Sequence, residues 1–210
     1  MHSKHLFVHF INEKDELMSP QVLEQRALEK KIVELSDKGL FETAVAILDK
    51  NKGDKLNLNI FSADRLSPLM YAGIKGNEFA FNAFIKKGAD INLQDQLGNT
   101  AVIYAVEFGR HLILKNALEN GANPNIQNKK GINILMITAR NNDLDGARII
   151  IGHSKVNPFL KNHDGVTALE IARKNKLFDI EKLFVEYEKR YKEIIISERL
   201  FSETAVLRRA

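Results

Sequence analysis

The 210-residue sequence has no cysteine and no tryptophan. Without thiols it has no disulfide framework, no Cys-ligated zinc or iron–sulfur centre and no cysteine nucleophile, which fits a reducing compartment. Long apolar runs are missing too, and nothing approaches the ~18 residues that a membrane-crossing helix needs. Near the start, the apolar stretch Leu6 to Ile11 contains His9 and is followed by Asn12, Glu13, Lys14 and Asp15, so no secretory leader is expected. Charge of one sign is scarce. The balance of 31 Lys plus Arg against 27 Asp plus Glu gives +4, which admits an acidic partner without demanding nucleic acid. Aromatic residues make up 8% of the chain and form no base-stacking stripe.

Catalytic signatures are lacking as well. There is no Gly-rich phosphate loop, no G-x-S-x-G elbow and no H-E-x-x-H helix. His2, His5 and His9 recur at helical spacing, but no carboxylate or second cluster completes a metal site. His111, His153 and His163 stand alone. Glu107 with Asp95, and Asp143 with Asp145, read as solvated turn residues rather than acid–base pairs. The expectation is no catalytic residue, no metal and no cofactor.

What is present is a repeat. Four segments align: SPLMYAGIKGN from Ser67, TAVIYAVEFGR from Thr100, NILMITARNND from Asn133 and TALEIARKNKL from Thr167, with starts separated by 33, 33 and 34 positions. Each opens on a small polar residue, has an apolar residue two later (Leu69, Val102, Leu135, Leu169) and a small one five later (Ala72, Ala105, Thr138, Ala172). Gly98, Gly131 and Gly165 each precede the next start by two residues. The opening residue suits a helix N-cap, and Pro68 suits the first helical position, where its missing donor costs nothing. Gly76 and Gly109 suit a left-handed helix end; Asn142 and Lys176 stand at the same place. A second helix follows in each unit, with apolar groups such as Phe81, Phe84 and Ile85, Leu114 and Leu118, or Ile150 and Ile151. It stops at Gly88, at Gly121, or near Gly152 to Ser154. Polar segments of the GADIN and GANPN kind then turn outward as hairpin-like fingers.

This pattern resembles the ankyrin repeat, with its 33-residue period and T-P-L-H-x-A motif. Ser67-Pro68-Leu69-Met70-Tyr71-Ala72 is the best copy, and no unit keeps the His. The resemblance covers roughly residues 30–186 and implies an all-α solenoid of helix-turn-helix units with short fingers, capped by helices at both ends. The expected division is an N-terminal segment 1–18, N-terminal capping helices with a degenerate repeat 19–66, and repeats 67–99, 100–132 and 133–166. A C-terminal repeat with a long capping helix spans 167–200, followed by a tail 201–210. Ser19-Pro20 opens a candidate helix with Val22, Leu23, Leu28, Ile32 and Leu35 at helical spacing, and Leu40 to Lys50 supplies its partner. From Phe178 to about Leu200 a single helix is expected, its stripe running through Ile180, Phe184, Tyr187, Tyr191 and Ile194 or Ile195. It serves as a cap or as a self-association or partner-binding helix.

The family resemblance implies a non-catalytic protein–protein interaction module that binds through finger tips and the exposed side of each first helix. Carried over position by position, the finger residues are Ala63, Asp64 and Leu66; Gln96, Leu97 and Asn99; Lys129, Lys130 and Ile132; His163, Asp164 and Val166. The helix residues are Ile74 and Lys75; Glu107 and Phe108; Arg140 and Asn141; Lys174 and Asn175. Leu66, Ile74, Leu97, Phe108, Ile132 and Val166 are apolar there, either as a binding surface or as packing between fingers. Phe108 is a candidate hot spot. Lys129, Lys130, Arg140 and Lys174 favour a partner with an acidic surface, unless they form a solvated basic face. Richness in Lys, Asn and Ile suggests an AT-rich genome such as a bacterial one. Small bacterial proteins of this kind include effectors or adaptors acting on a host protein, cytoplasmic or delivered into the host cytosol. Immunity or inhibitor proteins that block a toxin or enzyme are the alternative, and a nucleic-acid-associated protein is a lower one.

Overall fold

The computed structural model describes residues 18–51, 56–153 and 156–207, and among them every regular element is an α-helix. The histidines at 2, 5 and 9 lie outside the described residues. The helices come in pairs. They are α1 (Pro20–Asp37) with α2 (Phe41–Lys50), α3 (Pro68–Lys75) with α4 (Glu78–Lys86), α5 (Ala101–Glu107) with α6 (His111–Glu119), α7 (Ile134–Asn141) with α8 (Leu144–Gly152), and α9 (Ala168–Lys174) with α10 (Phe178–Leu207). The pairs stack as two rows. One row runs α1, α3, α5, α7, α9 and the other α2, α4, α6, α8, α10, each helix packing on its neighbours in the row and on its partner. This is the solenoid that the 33-residue period implies.

The cap chemistry explains where the first-row helices begin. Ser67 Oγ accepts the Met70 N–H at 3.3 Å, Thr100 Oγ1 that of Ile103 at 3.2 Å, Asn133 Oδ1 that of Met136 at 3.0 Å and Thr167 Oγ1 that of Glu170 at 3.2 Å. Each such cap is worth about 1 kcal/mol. Glu170 reciprocates by accepting the Thr167 N–H at 2.7 Å, and these bonds hold its carboxyl below the usual range. At the other end the chain turns left-handed at Gly76, Gly109, Asn142 and Lys176. Three details of the helices differ from expectation. Val22 is 40% exposed, because the buried side of α1 runs through Ile32, Val33 and Leu35. The second helices α4 and α6 end at Lys86 and Glu119, just short of the glycines. Helix α10 runs past Leu200 to Leu207.

Small residues set the spacing within the first row. Ala72, Ala105, Thr138 and Ala172 are completely buried. At Gly73, a Cβ would come within 2.7 Å of the Ala101 carbonyl oxygen, so α3 and α5 approach through a position that only glycine fills. The core then fills from the second row and the fingers, with Phe41, Phe81, Phe84, Ile113, Leu114, Ile150 and Phe184 buried side by side along the array.

Candidate partner-binding face

The fingers owe their shape to asparagine and aspartate. Asp95 Oδ1 accepts the N–H groups of Leu97 and Asn99, both at 2.8 Å. Asn128 does the same for Lys130 and Ile132, and Asn162 for Asp164 and Val166. Each finger therefore folds around one side-chain oxygen. Adjacent fingers are then tied together. The Lys129 N–H donates to the Leu97 carbonyl at 2.9 Å and the His163 N–H to that of Lys130 at 3.1 Å. Gln94 Nε2 donates to the carbonyls of Gly98 in its own finger and Gln127 in the next; Gln127 donates likewise to Gly131 and Lys161. Gly98 and Gly131 have φ of 78° and 73°, and a Cβ at either would meet the next finger's backbone at 2.8 Å.

A second ladder runs beneath the tips. Asn59 Oδ1 accepts the Asp90 N–H at 2.8 Å, Asn92 that of Asn123 at 2.9 Å and Asn125 that of Asn157 at 2.6 Å. It starts at Glu29 of α1, whose buried carboxylate accepts the Asn57 N–H at 2.7 Å. It ends at Phe159, which occupies the next asparagine position and packs edge-on against Tyr191 of α10 at 6.0 Å. The asparagines that enrich the composition thus carry the register of the array.

On this scaffold the nominated residues divide. Leu66 and Ile132 are partly buried against the core, and Ile74 and Val166 are partly buried. Of the six apolar positions, Leu97 and Phe108 stand out in solvent, at 58% and 50% exposure. Lys75, Gln96, Lys129, Lys130, His163 and Lys174 are exposed, with Asn99 half-buried; Ala63, Asp64, Asp164 and Asn175 are exposed as well. Glu107, Arg140 and Asn141 are exposed but engaged with one another. Arg140 is ion-paired with Glu107, and Asn141 Nδ2 donates to the Glu107 carbonyl at 3.3 Å, closing the end of α5. Asn99 accepts a hydrogen bond from Asn128 Nδ2 at 2.9 Å.

Of the four acidic residues read as solvated, Glu107 and Asp145 are exposed, whereas Asp95 and Asp143 are drawn into the structure. Asp95 is buried, and its second oxygen accepts the Tyr104 hydroxyl at 2.6 Å. Burial and that carboxylate together push the Tyr104 phenol up to about 12. Asp143 caps α8 through the Gly146 N–H and faces His111, whose Nε2 lies 2.9 Å from both carboxylate oxygens. His111 therefore does not stand alone: it ties α6 to the next unit. Asp145 is exposed. Sequence reasoning passed over Glu29, Gln94, Gln127 and Tyr104 as structural groups. The recurrence of Gln94 and Gln127 at the repeat period was the available signal for two of them.

These features define an array of stacked helix pairs with an ordered rank of fingers. The ankyrin-repeat family model matches residues 34–128 and 103–194, and the chain belongs to the ankyrin-repeat family. The chain is 31% identical over 108 residues to Ankyrin repeat and SAM domain-containing protein 6 of Rattus norvegicus, covering 51% of this chain and 12% of that protein. It is 31% identical over 83 residues to a putative ankyrin repeat protein of Acanthamoeba polyphaga mimivirus, covering 40% of this chain and 51% of that one. A putative ankyrin repeat-containing protein of Treponema pallidum is 33% identical over 66 residues, 31% of this chain and 22% of that one. The chain thus spans at most about half the length of these relatives. Ankyrin repeats are generally protein–protein interaction modules. Among the described residues no helix is long and apolar enough to cross a membrane.

Proposed function

We propose that this chain is a non-catalytic binding module that grips one partner protein across the finger tips and the exposed ends of the first-row helices. The carrying observation is that Leu97 and Phe108 remain in solvent while Leu66 and Ile132, from neighbouring units, pack inward. Leu97 sits at a finger tip and Phe108 at the far end of α5, so a partner touching both lies along the full length of that helix, about 10 Å. Around them Lys75, Lys129, Lys130 and Lys174 contribute positive charge, and His163 adds an exposed ring beside them. Lys129, Lys130 and Lys174 have no ion-pair partner among the described residues. An acidic partner surface complements them, with charge acting mainly on the association rate. Gln96, Asn99 and the rim residues Ile74 and Val166 complete the face. Glu107, Arg140 and Asn141 support it by fixing the end of α5. The units that build it are 67–99, 100–132, 133–166 and 167–200.

The Leu97→Ala, Phe108→Ala double variant should lose at least tenfold in affinity for a partner captured by the wild-type chain, while helical content and melting stay nearly unchanged. Unaltered affinity would refute the placement. The biological role follows from where the partner is found. A host-directed effector or adaptor, in the cytoplasm or delivered into a host cytosol, captures its partner from host lysate. An immunity or inhibitor protein captures a toxin or enzyme from the source cell and abolishes its activity. A nucleic-acid-associated role predicts instead an affinity that falls steeply with salt, and the lone excess of +4 does not favour it.

A further inference from the structure

The geometry points to a second copy of this chain as the occupant of a groove between α9 and α10, the two copies pairing α10 against α10 about a two-fold axis. The groove encloses about 440 Å³, and Leu169, Val185 and Ile196 give it an apolar floor and rim. Its position matters. In the first row, α5 covers α3, α7 covers α5 and α9 covers α7; no described helix follows α9. The groove lies where that row stops, on a kind of surface that every earlier unit hides beneath a neighbouring helix.

Helix α10 carries a face for such a neighbour. Four side chains, Ile180, Phe184, Tyr187 and Tyr191, lie on one side and pack into the body. At 100° per residue, Val185, Lys192 and Ile196 fall roughly 110–150° around the helix from that side. Val185 and Ile196 are 44% and 59% exposed. The helix has 30 residues where the other second-row helices have 9 or 10. Tyr191 is the last described side chain packed on the core, and the helix continues for about 24 Å beyond it. A helix of that composition gains its stability from packing.

Charge selects the occupant. The groove is rimmed by Arg173, Lys189 and Lys192 together with Glu188 and Glu193. A surface of one sign repels its own copy, whereas this mixture suits an interface in which the same patch meets itself. Two antiparallel α10 helices crossing between Arg190 and Tyr191 set Glu188 beside the partner's Lys192 and Lys189 beside the partner's Glu193. They also set Val185 against the partner's Ile196. Symmetry makes each contact twice.

The test is sedimentation equilibrium of the full chain from about 1 to about 300 µM. The mass should rise with concentration to twice the 23.8 kDa chain and stop there. Glu188→Lys makes the patch wholly basic at these two positions, and Lys192→Glu makes it wholly acidic. Each variant alone should dimerise at least tenfold more weakly. Mixed in equal amounts, the two should form a heterodimer at least as tight as the wild-type dimer, which misfolded variants cannot do. A mass fixed at one chain overturns the proposal. So does growth past the dimer, the mark of open head-to-tail stacking, and so does a mixture that stays monomeric.

Discussion

The two ends of the array close the same ladder in opposite ways. At the N-terminal end, Glu29 reaches from α1 and supplies the first acceptor with a carboxylate, while Val22 is the one large apolar side chain that α1 exposes. At the C-terminal end an aromatic group takes over. Phe159 stands where an asparagine would continue the ladder, and Tyr191 covers it, with the Lys192 ammonium 5.2 Å from the Phe159 ring. Tyr187 is 2% exposed and donates its hydroxyl to the Val156 carbonyl at 2.7 Å. One end is finished with a hydrogen bond and a wet face, the other with packing against a helix that keeps apolar side chains in solvent. The difference places the cost of losing a contact, and the chance of gaining one, at the C-terminal end.

Removing the aromatic anchor should therefore have the largest effect. Tyr187→Ala should destabilise by about 3–5 kcal/mol through the cavity it leaves, read by urea unfolding, with hydrogen exchange rising first in the last unit. Tyr187→Phe, which orphans the Val156 carbonyl, should cost about 1–2 kcal/mol. The phenol also sets a pH limit. Burial raises the hydroxyls of Tyr71 and Tyr187, as it does that of Tyr104. Above pH ~10 the unfolded chain gives up protons that the folded chain retains. Stability is then complete below that pH and falls as pH rises through the folded values, up to about 12 for Tyr104. Tyr187→Phe should flatten part of that alkaline fall. An equal slope in variant and wild type would mean that the hydroxyl is not held as described.

At the opposite end the expected loss is smaller. Glu29→Ala leaves the Asn57 N–H without its acceptor and should cost about 1–3 kcal/mol. Glu29→Gln keeps an acceptor oxygen and should recover most of it. Exchange at the Asn57 amide reports the contact directly: fast in the alanine variant, slow in the glutamine one. A loss from Glu29→Ala equal to that from Tyr187→Ala would erase the contrast between the two ends.

The repeat and its caps were legible in the sequence because they depend on local chemistry. Ser67, Thr100, Asn133 and Thr167 accept from the third residue after them whatever lies nearby. The ladders were not legible for a physical reason. Asn92 and Asn123, or Gln94 and Gln127, meet across about one repeat, and only the stacked geometry shows that a side chain of one unit satisfies a backbone group of the next. Asp95 was misread for the same reason. A carboxylate in a turn looks solvated until Tyr104, from the helix that follows, closes over it. The face itself divided on burial. Leu66, Ile132 and Val166 each sit one residue before a helix cap and are partly buried, whereas Leu97 sits three before its cap, at the finger tip, and is exposed.

Backbone strain offers the finest version of the comparison. Interior finger tips carry Gly98 and Gly131 at positive φ, whereas the first finger has Arg65 at 62° in that place. The helix ends show the same trend, with Gly76, Gly109 and Asn142 in the earlier units and Lys176 at 56° in the last. Interior glycines answer two demands, left-handed backbone and the next finger's approach. Gly165, after which no described finger follows, would have nothing within 4 Å of an added Cβ and answers only the first. Arg65→Gly and Lys176→Gly should each relieve about 1 kcal/mol of left-handed strain. Glycine's extra freedom in the unfolded chain offsets part of that gain. The net expectation is a stabilisation of about 0.5 kcal/mol apiece, additive because the sites lie in opposite end units. Chemical unfolding midpoints should shift upward by similar steps in the two single variants and by their sum in the double; a downward shift in either would show that its side chain holds contacts worth more than the strain.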